Sequence, residues 1–166
     1  MRSSGRINSL DDFVDLSAVL TGFDNVELQG TGLVDSHFDT ITDLVGERIF
    51  GRLLLTWREI RSDENVDKSA EIRSRILDNP LIGPVARNLM VLWYTGNWNQ
   101  MPGKWRDQYG AAAGDRTHVV SSESYKQGLM WRAVLAHPPA ARQPGFGSWT
   151  PPPEGGEDIE DEWQQR

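Results

Sequence analysis

Apolar side chains recur three or four positions apart through most of this chain, a rhythm that gathers them on one stripe of an α-helix and not on one face of a strand. Phe38, Ile41, Leu44, Val45, Ile49, Leu53 and Trp57 form the longest such run. It predicts a long central helix, bent at Gly46 or Gly51, where a missing side chain weakens helix propensity by about 1 kcal/mol relative to Ala. Ahead of it, Leu10, Phe13, Leu16 and Leu20 predict a shorter amphipathic helix, opened by Ser9 and Asp12 as a capping pair and stopped by Gly22. The glycines and Asn25 between Gly22 and Gly32 read as a loop.

Beyond the central run, a charged turn over Arg61 to Lys68 leads into a modest helix carrying Ile72, Ile76 and Leu77. Asn79 and Pro80 then make a start signal, and Leu81 to Tyr94 is expected to be the most deeply buried helix. A last helix, capped by Ser121 or Ser122, offers Tyr125, Leu129, Trp131 and Val134 as apolar positions before Pro138 and Pro139 end it. The fold class is therefore all-α: a small helical domain over 1–137, interrupted by a long irregular loop at 97–120 with weak strand character at Thr117 to Val120. An extended, Pro-rich docking arm is expected at 138–153 and an acidic, disordered tail at 154–166.

Charge and residue usage exclude several kinds of function. The segment from Glu154 to Arg166 holds six acids against one Arg, so it carries five of the seven excess negative charges and leaves the body close to −2. Such a body lacks the clustered Lys and Arg that phosphate backbones require, so no nucleic-acid partner is expected. With no cysteine there is no thiolate nucleophile, Cys-bound zinc or iron–sulfur cluster in this chain. The longest apolar run, Leu89 to Trp93, falls far short of the roughly 20 residues that span a bilayer. His37, His118 and His137 stand in three separate segments without a second ligand at metal-site spacing, so no metal is expected. Gly30 and Gly32 open like a dinucleotide fingerprint, but no third glycine follows, and no Gly-x-Ser-x-Gly elbow occurs; neither catalytic nor cofactor-binding residues are assigned. Paired acids such as Asp11 with Asp12, or Asp63 with Glu64, read as helix-start and turn residues.

The aromatic residues are the exception to this blandness, with seven Trp in the chain. Trp57, Trp93 and Trp131 fall at helical spacing and read as core. Trp98, Trp105 and Tyr109 lie in the irregular loop, and Phe146 and Trp149 in the proline-rich arm with Pro144 and Pro151. Rings placed where a lone domain offers no shelter are typical interface anchors, because they bury much area at low entropic cost. Prolines around them have surrendered backbone freedom before binding. These seven residues are the expected partner-binding set.

The segment Pro144 to Pro152 (PGFGSWTPP), following the helix from Tyr125, resembles the C-terminal end of the small subunit of bacterial FAD-dependent sugar dehydrogenases, the accessory chain of glucose, sorbitol, fructose and glucoside 3-dehydrogenases. Phe13 to Gly22 (FVDLSAVLTG), Leu44 to Leu54 (LVGERIFGRLL) and Asn88 to Gly96 (NLMVLWYTG) are similar to the family's opening, central and buried helices, in the same order. The resemblance implies a non-catalytic chain that binds and stabilises a large flavoprotein of the glucose–methanol–choline oxidoreductase type and assists its folding or export. FAD and the chemistry would reside in that partner, with a cytochrome c as electron acceptor. The start at Met1 shows no twin-arginine signal and the acidic tail is an addition to the family's pattern. A natively leaderless chain implies a cytoplasmic complex, and a removed signal a periplasmic one. Two readings from other classes stand beside it: a free-standing chaperone or binding module, and a small helical enzyme using His118 with a nearby carboxylate as acid and base.

Overall fold

In a computed structural model of the chain, residues 2–136 and 138 are described, with residues 2–8 as backbone only. The described part is all-α, as the apolar rhythm requires, with a sheet of just two short strands. Four helices surround the core: α1 (Arg2–Thr21), α3 (Val34–Val45), α4 (Glu47–Ser62) and α6 (Gly83–Thr95). Between them run α2 (Asn25–Gly30), α5 (Lys68–Glu71) and a π-helical segment, Ile72–Leu77. The irregular region contributes β1 (Asn97–Trp98), α7 (Gly103–Tyr109) and β2 (His118–Val119), and α8 (Ser122–Lys126) and α9 (Leu129–Ala133) follow.

The core helices meet at an aromatic knot. Phe13 of α1 lies 5.7 Å from Phe38 and 5.8 Å from Phe50, both edge-on, and stacks on Trp93 at 6.1 Å. Phe38 and Phe50 are 5.1 Å apart, so α1, α3, α4 and α6 each contribute a ring. Burying one such side chain is worth about 1.5–3 kcal/mol, which makes this cluster a main stabiliser of the bundle. Polar tips are satisfied on the way in: Trp93 Nε1 donates to Ser17 Oγ at 3.0 Å, and the Tyr94 hydroxyl donates to the Thr21 carbonyl at 2.7 Å. Both bonds tie α6 to α1. Leu81 to Tyr94 was expected to be deeply buried, and Val85, Ala86, Leu89, Leu92 and Trp93 are inaccessible or nearly so.

Four boundary expectations are corrected. The run from Phe38 to Trp57 is broken into two helices and not merely bent, because Gly46 takes φ +86° and ψ 147°, a conformation no right-handed helix contains. Gly51, by contrast, stays inside α4. Helix α1 starts well before Ser9, so Ser9 and Asp12 are interior positions and not a cap. Asp12 instead is buried and accepts from Arg58 Nε at 2.9 Å and Arg61 Nη2 at 2.9 Å on α4, with a further contact to Arg58 Nη2. Asp15 also meets Arg61. These side chains draw the start-signal residues into an ion-pair cluster between α1 and α4, which local spacing cannot reveal.

The Gly22–Gly32 stretch is not all loop. Asp24 and Glu27 form a complete capping box for α2: Asp24 Oδ1 accepts from Glu27 N at 2.8 Å, and Glu27 Oε2 accepts from Asp24 N at 3.0 Å. The last helix is divided at Gly128 into α8 and α9, with Ser121 as the cap of α8. That break resets the helical phase, so of the apolar positions offered for one helix Leu129 is fully buried while Val134 is 63% exposed. Asn79 Oδ1 accepts from Leu81 N and Ile82 N, capping the turn that precedes α6.

Candidate functional site

The irregular region is an ordered substructure built around one buried carboxylate. Asp115 Oδ1 accepts from Trp98 Nε1 at 2.8 Å and from Met101 N at 3.1 Å, and Arg106 Nε lies 3.6 Å from Oδ2. Around it, β1 pairs antiparallel with β2, setting Trp98 opposite His118 and Asn97 opposite Val119. Asn88, inside the apolar stripe of α6, donates through Nδ2 to the Asn99 carbonyl at 2.6 Å and accepts from Asn99 N at 3.2 Å. The loop is thus fastened to the core by side chains whose polar groups are matched. Gly96 starts it at φ +72°, with the backbone of Ser124 so close that a Cβ would come within 2.5 Å of it.

This geometry corrects the expectation that the loop aromatics have no home in their own domain. Trp98 is 0% exposed and Trp105 is 4% exposed. Trp105 Nε1 donates to the Leu81 carbonyl at 2.8 Å, and its ring meets half-buried Tyr109 at 5.6 Å. Each indole found an acceptor that the spacing of apolar residues does not display: a carboxylate 17 residues on, and a turn carbonyl 24 residues back. As folded, Trp98 and Trp105 offer almost no surface to a partner. Pro144, Phe146, Trp149 and Pro151 lie outside the described residues, as do His137 and the acidic segment.

Among the described residues, exposed large apolar side chains are scattered at Val19, Val26, Leu55 and Val119, and two adjacent ones stand at the end of the described body. Val134 and Leu135 are 63% and 95% exposed, and Leu135 holds φ +53°, an uncommon conformation for a branched residue. Half-buried Trp131 packs edge-on to Tyr125 at 5.5 Å and donates to the Tyr125 carbonyl, so α9 is attached to α8 while its last turn faces solvent.

The histidines are kept apart. His118 Nδ1 lies 2.6 Å from the Arg116 carbonyl, and Asp115, the carboxylate nearest in sequence, is engaged with Trp98 and Met101. His37 is wholly buried against Trp93, ring centroids 4.5 Å apart. Burial lowers its pKa from 6.5 to about 4, so the ring is neutral at neutral pH. Among the described residues, no three His, Cys, Asp or Glu side chains gather as metal ligands would. No described helix is long and apolar enough to cross a membrane. Open clefts among the described residues include one of about 620 Å³ beside Glu59, Asp63, Glu64 and Arg75 and another of about 300 Å³ between the start of α4 and Tyr109 to Ala112. At Arg58, the hydrogen bond to Asp12 and then that residue's charge raise an already high pKa.

Asp115 and Asn88 escaped sequence reasoning, as did the buried settings of Asp12 and His37. The available signal was a polar residue inside an apolar stripe, as with Asn88 before Leu89 and His37 before Phe38. No family model, curated protein or solved structure matches this chain.

Proposed function

We propose that this chain is a non-catalytic small subunit that binds and stabilises a large FAD-dependent sugar dehydrogenase of the glucose–methanol–choline type. The resemblance of four segments in family order supports the reading. The observation that carries it physically is the uncovered Val134–Leu135 end of the body, directly ahead of the arm that bears Phe146 and Trp149. Exposed apolar side chains followed in sequence by aromatic residues in a proline-rich segment suit a strap laid over another polypeptide. The proposed contact set is accordingly Val134, Leu135, Pro144, Phe146, Trp149 and Pro151, with Trp98 and Trp105 holding the body's shape.

In this reading FAD belongs to the partner, and a cytochrome c takes its electrons. The test is co-purification of the partner with tagged full-length chain from its source cells, comparing the native sequence with Phe146→Ala combined with Trp149→Ala. Each anchor removed should cost roughly 1–4 kcal/mol of association. Loss of a flavin-bearing large chain from the variant fraction is the expected result. Undiminished recovery eliminates the strap, and a partner that leaves once folded favours a chaperone.

A further inference from the structure

Helix α3 has a positive-φ glycine at each end. It runs between Gly32, at φ +70°, and Gly46, at φ +86°, and both glycines have open space where a Cβ would stand. As in α4 and α6, no side chain caps its start, where Leu33 precedes the first turn; Gly46 closes its last turn, and the Leu44 carbonyl accepts from Ala112 N at 3.2 Å. Its buried face consists of His37, Ile41, Leu44 and Val45.

His37 is an anomalous choice for that face. Both ring nitrogens are buried without a hydrogen-bond partner, and the ring is edge-on to Trp93 at 74°. A neutral imidazole has one N–H and one lone pair, and each left unmatched costs about 1–3 kcal/mol. An imidazolium would bring two unmatched donors and a charge into the same space.

The ionisable groups on the packed elements are engaged elsewhere or face solvent. On α1, Asp12 and Asp15 bind Arg58 and Arg61, and Asp11 is exposed. On α4, Glu47, Arg48 and Arg52 are exposed, and Glu59 pairs with Arg75. Arg87 of α6 is exposed and donates to the Leu77 carbonyl, and Tyr94 donates to the Thr21 carbonyl. On α3 itself Asp35 and Asp43 are exposed and Asp39 is half-buried. None of them bonds the His37 ring.

We propose that α3 is an acid-responsive segment: protonation of His37 swings it away from α6 about Gly32 and Gly46, uncovering the aromatic cluster of Phe13, Phe38, Phe50 and Trp93. Because burial holds the His37 pKa near 4 against 6.5 when hydrated, the closed state has its full advantage above pH 6.5. That advantage declines as pH falls from 6.5 to about 4, and is constant below. At pH 5 the opening equilibrium should stand about 20-fold above its value at pH 7.

Amide hydrogen exchange of the full chain at pH 7 and pH 5, corrected for intrinsic exchange rates, tests this directly. The expected result is an increase of about 20-fold in opening confined to 34–45, accompanied by binding of a hydrophobic dye, and absent in His37→Leu. Equal loss of protection in α1 and α4, or the same response in His37→Leu, overturns the proposal. Should the Leu variant misfold, NMR of the native chain decides: a His37 midpoint below pH 5, with opening of 34–45 that follows the imidazole titration, supports the device, and a midpoint at or above pH 5, or opening that does not follow it, refutes it.

Discussion

Asp115→Ala is the most informative single change in the irregular region. It strips the acceptor from Trp98 Nε1, whose ring is fully buried, and from Met101 N, also buried. A buried donor left unmatched costs about 1–3 kcal/mol, so the pair should cost about 2–6. Relief from keeping a carboxylate buried offsets part of this, and the half-exposed Arg106 at 3.6 Å adds little. A net loss of about 2–4 kcal/mol is therefore expected in urea unfolding at neutral pH. Trp98→Phe keeps most of the ring but removes the indole N–H; it should cost about 1 kcal/mol in lost hydrogen bonding, plus repacking. In the double variant the orphaned indole donor no longer exists, so the combined loss should fall short of the sum by about 1–2 kcal/mol. Strict additivity, or an Asp115→Ala loss below about 0.5 kcal/mol, would falsify the claim that this carboxylate fastens Trp98 into the body.

Other substitutions probe separate joints of the fold. Gly46→Ala forces φ +86° on an L side chain and should cost about 1–3 kcal/mol, measured by thermal unfolding; a neutral result would mean α3 and α4 join as one helix. Gly96→Ala combines a φ of +72° with a 2.5 Å approach to the Ser124 backbone, so it should destabilise more than Gly46→Ala in the same assay. Asp12→Ala should cost about 1–2 kcal/mol and lose sensitivity to added salt, since the two arginines it binds are partly hydrated already; equal salt dependence in both proteins would contradict that account. Leu135→Asp should leave the unfolding midpoint unchanged, because the side chain is almost wholly exposed, while reducing recovery of the partner chain.

The all-α class was legible in the sequence because Phe13, Leu16, Ile41, Leu53, Leu89 and Leu92 keep a helical period that burial then uses directly. Boundaries were legible where chemistry is local, as at Gly22 and the Ser121 cap, whereas Asn79 and Pro80, expected to open the buried helix, cap a turn instead and α6 begins at Gly83. What escaped was set by long-range pairing. Whether Gly46 bends or breaks a helix depends on where α3 and α4 must lie, and nothing within four residues of Asp12 reveals Arg58 and Arg61. The loop tryptophans show the same limit: their indoles are housed by Asp115 and by the Leu81 carbonyl, distant partners that a polar, glycine-rich stretch does not advertise. The candidate contact surface consequently moves from the loop to the end of α9 and the arm.

If the chain functions as a permanent accessory subunit, its native state is a complex. Sedimentation of the untagged protein from its source cells, with flavin content and subunit masses measured across the gradient, reads this most directly. The proposed function predicts that the chain travels in fixed proportion with a larger, flavin-bearing polypeptide. A folded monomer travelling alone, without flavin, would contradict it.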